Sequence, residues 1–266
     1  GNWLSTASDP PKTALLMLIA QQVLLFLLPA ALLGLLLLRN PRRTFRLQRC
    51  GFAAILVAAA LALTLHAPVL ELMARLQWFF PPGLPEGSQA YLEEMLGPSQ
   101  PLLLVLAAAA LAPAVCEEFL FRGYVLSALD RPGRRGLAVV LSSLAFGGLH
   151  MIPQQVFYAT LLGLVLGLLV IRTGSLWPGL VFHFSFNALS VLSKRLSLPA
   201  TPARHLEWLV SIETVKGENT LRYDWPLLII SAIVAAWLLH RALKLTGTAD
   251  EAARAVSHSS SPPAAS

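Results

Sequence analysis

The sequence predicts an all-α fold, a polytopic transmembrane helical bundle with about seven spanning helices. Of the 266 residues, 56% are hydrophobic and only 13% are charged. An ordinary soluble domain carries about 25% charged residues, so this chain has too few to cover a water-facing surface. Long apolar runs also recur along the chain, and one spanning helix needs about 20 such residues. Membrane lipid is therefore the expected environment of most of the chain.

The apolar runs predict the helices in order, at residues 14–38, 52–76, 101–129, 137–152, 155–171, 178–192 and 226–243. The first run is longer than the 7–15 apolar residues of a signal peptide, so a retained helix is expected. The fourth is short for a full span. Pro113 removes a helical N–H and predicts a kink in the third. A short amphipathic helix is expected around His205–Val210, within a polar loop.

Basic residues cluster in short loops, and the positive-inside rule assigns such loops to the cytoplasm. The clusters lie at 39–49, at 131–135, at Arg172 and at 241–244. Residues 77–100 contain three glutamates and no Lys or Arg, so this loop is expected outside. An integral protein of a bacterial cytoplasmic membrane is expected. The exceptions are three basic residues in the outer loop, Lys194, Arg195 and Arg204.

The net charge of +6 comes with no basic patch interleaved with aromatic residues, so no nucleic-acid partner is expected. Four regions are predicted. Residues 1–100 hold two N-terminal transmembrane helices with their loops, and 101–193 form the core with the polar intramembrane residues. Residues 194–245 hold an extramembrane loop and the last transmembrane helix, and 246–266 form a disordered tail rich in Ala, Ser and Pro.

Several ionisable residues lie inside predicted spans, where each costs roughly 2.5–3.5 kcal/mol unless it is paired or functional. They are Glu117, Glu118, Arg122, His150 and His183, joined by the neutral Asn187. Glu118 and Arg122 are four residues apart, so they share a helix face and can form an ion pair. Glu117 has no opposite charge at that spacing, which is the setting of a general base.

These residues are expected at one depth. Glu117 lies 14 residues from Arg131, His150 lies 15 from Arg135, and His183 and Asn187 lie 11 and 15 from Arg172, all counted from basic residues expected in the cytoplasm. At about 1.5 Å per residue this is roughly 16–22 Å, near mid-membrane. Three helices would thus bring a carboxylate, two imidazoles and a carboxamide to one depth. Polar residues that served only unrelated hydrogen bonds would not need to share a depth, so a common site is expected.

Two chemistries fit this set of residues. In the first, Glu117 takes a proton from water that His150 helps to position, while His183 and Asn187 donate hydrogen bonds to an oxyanion. In the second, Glu117, His150 and His183 bind zinc, and the metal-bound water attacks. No H-E-x-x-H motif is present. The favoured expectation is no metal and no other cofactor, with zinc as the alternative.

Three motifs resemble the signature of the CPBP intramembrane endopeptidases. Residues 117–122 read E-E-x-x-x-R, 146–150 read F-x-x-x-H and 183–187 read H-x-x-x-N, in that order. That family includes type II CAAX prenyl endopeptidases and bacterial Abi (bacteriocin-immunity) proteins. The resemblance covers about 100–193.

The resemblance implies an all-helical membrane protease whose active site opens to the cytosol and cleaves a CAAX-like or bacteriocin-type peptide. It implies that Glu117 and His150 activate water and that His183 and Asn187 form the oxyanion site. Glu118 and Arg122 would support them, and no metal would take part.

Two other functions use the same residues. The chain is alternatively a non-catalytic immunity or transport partner, fused to or associated with a transporter module. A transporter with a proton relay through Glu117, His150 and Arg122 is the third reading.

Overall fold

The computed structural model describes residues 10–37, 40–76, 86–150, 152–195, 208–215 and 218–245. A continuous helix α1 runs through Pro10–Gln22, Val23–Leu27 and Leu28–Leu37. It is followed by α2 (Pro41–Thr44), α3 (Phe52–Leu76), α4 (Glu86–Leu96), α5 (Leu102–Leu129), α6 (Arg135–Gly148), α7 (Pro153–Thr173), α8 (Trp177–Arg195), β1 (Val210–Val215), β2 (Glu218–Tyr223) and α9 (Trp225–Leu243). Every predicted span thus falls on a helix.

Within the described ranges, five helices are long and apolar enough to cross a membrane, namely α1, α3, α5, α7 and α9. Helix α6 has 14 residues, which at about 1.5 Å each reach only about 21 Å. Helix α8 has 19 residues, but polar side chains such as His183, Asn187 and Lys194 lower its hydropathy. The all-α, membrane-type fold is confirmed, and about seven spanning helices stays a prediction.

Helices α1 and α5 are interrupted by π turns, in which the backbone hydrogen bonds reach one residue further than in an α-helix. They lie at Val23–Leu27 in α1, and at Ala107–Leu111 and Phe119–Val125 in α5. Pro113 has no N–H to offer the carbonyl of Ala109, which lies inside the first π turn of α5. A wider turn therefore lies next to the missing donor, at the place where the sequence predicts a kink.

The chain departs from the predicted loops in two places. Helix α4 occupies part of the predicted outer loop 77–100, whose proline-rich turn at 81–85 lies outside the described residues. In the polar stretch 194–224, β1 and β2 form an antiparallel hairpin that pairs Val210 with Tyr223 and Val215 with Glu218. The sequence predicts a short helix at His205–Val210, of which the structure describes residues 208–210. Val210 begins strand β1, so the prediction is wrong at that residue. The alternating, β-branched sequence of β1 favours a strand there.

Helix α8 contacts both halves of the bundle. One of its faces packs into a core shared with α3, α7 and α9, built on Ala58, Leu61, Leu166, Leu169, Phe182, Phe186 and Leu238. Near the other end, Val191 joins a core of α1, α4 and α5, built on Leu15, Met95, Val105 and Ala108. The helix that carries His183 and Asn187 is therefore held on two sides.

The Arg-rich segment 40–50 is fastened to the ends of α5 and α8. Arg46 forms an ion pair with Asp130 (Nη2 to Oδ2, 2.7 Å), and its carbonyl accepts the N–H of Leu176 at 2.8 Å. Ser175 Oγ donates to the carbonyl of Gln48 at 2.7 Å. We call this side of the bundle the Arg-rich end.

The opposite end of the bundle carries Lys194 and Arg195, two basic residues that the positive-inside rule does not explain, whereas Arg204 lies outside the described residues. Arg195 donates hydrogen bonds to the carbonyls of Leu96, Pro98 and Gln100, the last at 2.6 Å. These carbonyls follow or end α4, so the guanidinium satisfies backbone groups that no helix pairs. The described structure thus gives Arg195 a structural reason to lie on this side.

Candidate active site

Glu118 and Arg122, one turn apart on α5, form an ion pair with no exposed surface on either side chain. Arg122 Nη1 donates to Glu118 Oε1 at 2.8 Å, as the spacing predicts. Arg122 Nη2 donates to the carbonyl of Gly163 in α7 at 3.3 Å. A Cβ on Gly163 would lie 3.2 Å from Nη2, so the glycine makes room for the guanidinium. The pair thereby joins α5 to α7.

His183 of α8 lies between the two carboxylates of α5. Its Nδ1 is 3.0 Å from Oε1 of Glu118, and its Nε2 is 3.9 Å from Oε2 of Glu117. Because Glu118 already accepts from Arg122 as a carboxylate, it acts as the acceptor here too, and Nδ1 carries the proton. Nε2 is then the nitrogen that faces Glu117.

His150 follows the end of α6, and its orientation is set by the backbone. Its Nδ1 lies 3.1 Å from the carbonyl oxygen of Phe146. A carbonyl can only accept, so Nδ1 carries the proton, and in the neutral ring Nε2 is left as the acceptor. Gly147 allows this arrangement, because a Cβ there would lie 2.7 Å from the carbonyl of Val156 in α7. Gly148 faces open space.

The ring of Phe146 contacts three of the polar side chains. The guanidinium carbon of Arg122 lies 4.3 Å from the ring centroid, within cation–π range. The His150 and His183 rings meet it edge-on, with centroids 5.2 and 5.9 Å away. A single aromatic side chain therefore sets the spacing of both histidines and the arginine.

Glu117 has a partner that sequence reasoning missed. Nε2 of Gln22, in α1, donates to Oε1 of Glu117 at 2.9 Å. The sequence analysis looked only for an opposite charge one turn away, whereas the partner is a neutral amide 95 residues earlier. The available signal was that Gln21 and Gln22 are the polar residues of an otherwise apolar first span.

The polar residues line a cavity of about 380 Å³. Its walls include Gln22, Glu117, Phe146, His150, Tyr158, His183, Asn187, Ser190 and Lys194. The cavity continues along α8 from His183 to the exposed Lys194, at the end of the bundle opposite to the Arg-rich end. A smaller cavity of about 160 Å³ shares Gln22, Glu117, Phe146 and His150 and reaches the exposed Leu149 between α1 and α6.

Comparison with known proteins identifies the segment that holds this site. Residues 98–189 match the family model described as type II CAAX prenyl endopeptidase, Rce1-like. Residues 98–189 are similar to the Rce1-like family, and we call this segment the Rce1-like domain. The match covers roughly a third of the chain, and neither a curated protein nor a solved structure matches it. The family indicates an intramembrane protease of the CAAX type, and the apolar helices indicate an integral membrane protein.

The Rce1-like domain contains all six residues predicted for the site: Glu117, Glu118, Arg122, His150, His183 and Asn187. The structure brings them together from α5, the end of α6 and α8. Gln22 lies outside the matched residues but against Glu117. Tyr158 of α7 also lines the cavity, a residue that the motifs do not include.

A zinc site would require Glu117, His150 and His183 to converge on one point. Among the residues that the structure describes, no three His, Cys, Asp or Glu side chains converge so as to hold a metal ion. The zinc alternative stays a prediction, and no step below is assigned to a metal.

Proposed function

We propose that the protein is an intramembrane endopeptidase that hydrolyses a peptide bond with water activated by Glu117. The observation that carries the proposal is the convergence of Glu117, His150 and His183 on one cavity from three separate helices. An acidic group and two imidazoles inside a bilayer are costly, and hydrolysis gives each of them a use.

Glu117 is the general base. It takes a proton from water, whose oxygen attacks the carbonyl carbon of the substrate, and it returns the proton to nitrogen as the C–N bond breaks. Nε2 of His150, left as an acceptor by the bond from Nδ1 to Phe146, holds the second hydrogen of the water. The products are a carboxylate and an amine, so all atoms are accounted for without a cofactor.

His183 and Asn187 form the oxyanion site. They are four residues apart on α8, so both side chains share the face that lines the cavity. When both ring nitrogens of His183 carry protons, Nδ1 donates to Glu118 and Nε2 donates to the negative oxygen of the tetrahedral intermediate, alongside the Asn187 amide. Glu118 and Arg122 act through His183 and Phe146 and hold them in place.

The family match and the cavity both support a peptide substrate. The Rce1-like match favours a peptide with a C-terminal CAAX-like sequence, and bacteriocin-type peptides are the other candidates. The cavity length along α8, from His183 to Lys194, is about 16 Å at 1.5 Å per residue. That distance accommodates about five extended residues.

The test uses internally quenched peptides that end in CAAX sequences, with and without a prenyl group, and the full-length protein in liposomes. Glu117→Gln keeps the size of the side chain and should lower cleavage by at least about 100-fold, because a positioned base contributes that much or more. Glu94→Gln, an exposed change of the same kind on α4, should leave the rate unchanged.

Full cleavage by Glu117→Gln would refute the assignment of the base. If no peptide is cleaved, the Glu117→Gln protein is used as a trap and its retained peptides are identified by mass spectrometry. Intact peptides held by the variant but released as fragments by the unaltered protein support the protease. Identical, uncut partners on both forms support a non-catalytic membrane partner instead.

A further inference from the structure

Gln22 is the polar side chain closest to Glu117 that comes from outside the matched domain. It lies at the last residue before the π turn Val23–Leu27 of α1, and this turn packs against the Ala112–Glu118 segment of α5. π turns are rare and occur most often at functional sites. The wider turn thus coincides with the point where α1 meets Glu117.

The orientation of the Gln22 amide follows from its partner. An ionised carboxylate only accepts hydrogen bonds, so the group 2.9 Å from Glu117 Oε1 must be the NH₂ of the amide. The carbonyl oxygen of the amide, Oε1, then points elsewhere. It is buried and has no hydrogen-bond partner among the described residues. A buried acceptor left without a donor is unfavourable, so this oxygen is suited to a donor that arrives with the substrate.

Gln22 also lines both cavities, and therefore lies where they meet. The N–H of the scissile bond must approach Glu117, because Glu117 returns the proton to that nitrogen in the mechanism proposed above. A carbonyl oxygen on the side chain that already touches Glu117 is placed to accept that N–H.

We propose that Gln22 has two roles in the reaction, which rest on the proposed function of Glu117. Its NH₂ group is a positioning group that fixes Oε1 of Glu117, so that Oε2 faces His183 and the attacking water. Its carbonyl oxygen accepts a hydrogen bond from the N–H of the leaving nitrogen and keeps this bond as the nitrogen becomes an amine.

The first test separates a positioning role from a structural one. Gln22→Met keeps the length of the side chain and removes both polar groups. Cleavage of the quenched CAAX peptide should fall about 10- to 100-fold in kcat, the size expected when a hydrogen bond to a charged group is lost. The acidic limb of the pH–rate profile should also move to higher pH, because the lost donor stabilised the ionised carboxylate. A purely structural role would lower the rate without moving the profile.

The second test addresses the carbonyl oxygen. A matched ester, in which oxygen replaces the N–H of the scissile bond, has no hydrogen to donate. The loss caused by Gln22→Met should therefore be several-fold smaller for the ester than for the peptide. Equal losses on both substrates would overturn the contact with the leaving nitrogen.

The control is Thr64→Val in α3, which removes a hydroxyl that donates to carbonyls of its own helix. It should leave kcat and the pH profile unchanged. Gln22→Leu serves as a second variant if Gln22→Met does not yield a folded protein. Full activity and an unmoved profile in either folded variant, beside an inactive Glu117→Gln, would overturn this inference alone. An active Glu117→Gln would overturn the proposed function itself.

Discussion

The guanidinium of Arg122 lies against the face of the Phe146 ring, with 4.3 Å from Cζ to the ring centroid. Both side chains are buried, and each is tied to a histidine of the candidate site: Arg122 through Glu118 to His183, and Phe146 directly to His150. The charge that neutralises Glu118 and the ring that spaces the imidazoles are thus in contact with one another.

The first prediction concerns that ring. Phe146→Leu should destabilise the protein by about 2 kcal/mol, because it loses the cation–π contact and leaves space in the core. The cleavage rate should fall by more than the loss of folded protein accounts for, because both histidines lose the ring that spaces them. Thermal unfolding in detergent and turnover of the quenched peptide measure the two effects. The same change at Phe184, which is 37% exposed on α8, is the control and should do little.

The second prediction concerns the buried ion pair. Arg122→Met should cost about 3–5 kcal/mol of unfolding free energy, because it leaves the Glu118 charge buried without its cation. The double variant Glu118→Gln/Arg122→Met should lose less unfolding free energy than the two single variants lose together, because neither charge remains buried. A double-mutant cycle in denaturant measures this coupling. Strict additivity would show that the two groups do not depend on one another.

The third prediction compares two adjacent glycines in α6. Gly147→Ala would place a Cβ 2.7 Å from the carbonyl of Val156, a backbone atom that cannot move cheaply. Gly148→Ala meets nothing within 4 Å. The first change should therefore cost about 1–3 kcal/mol and reduce activity, whereas the second should be tolerated. Similar unfolding midpoints for the two variants would contradict the close approach of α6 and α7.

The fourth prediction concerns the direction in which the larger cavity opens. Cys50 lies in the Arg-rich segment, and Lys194 lies at the other end of the cavity. A membrane-impermeant maleimide should therefore label Cys50 and a Cys50→Ser/Lys194→Cys variant from opposite sides of sealed vesicles. The buried Cys116 should not react. The positive-inside rule predicts that Cys50 is the cytosolic one.

Labelling of both cysteines from one side would contradict the arrangement of the two ends. The expected result also bears on the cytosolic opening that the family resemblance implies. If Cys50 is cytosolic, the larger cavity opens to the other face, and access from the cytosol requires the lateral opening beside Leu149. If Lys194→Cys is cytosolic, the opening agrees with the resemblance and the Arg-rich end is external.

Much of the architecture could be predicted because long apolar runs have few alternatives in a membrane. The bounds of α5, α7 and α9 lie within two residues of the predicted ones. The hairpin and α4 were missed, because their polar segments lack such a constraint. Arg195 was an exception to the charge rule for a reason that only the packing shows: its partners are backbone carbonyls, which carry no sequence signal.

The site was predictable to the extent that its residues share a helix or a depth. Glu118 with Arg122 and His183 with Asn187 follow from four-residue spacing, and all four line or adjoin one cavity. The bond from Gln22 to Glu117 joins residues 95 positions apart, so no helical spacing connects them, although Gln22 is one of the two polar residues of the first apolar span. The place of Phe146 between Arg122 and the imidazoles likewise depends on packing that spacing alone does not determine.

The π turn at Ala107–Leu111 has a consequence for how the segment can evolve. A π turn holds one residue more than the α-helical turn it replaces, so a single deletion within it would restore regular winding and keep the flanking residues on their faces. A deletion in the regular helix between Ala112 and Glu117 would instead rotate Glu117 by about 100° about the helix axis, away from Gln22 and His183. Deletions that preserve the site should accordingly fall at Ala107–Leu111 and not between Ala112 and Glu117.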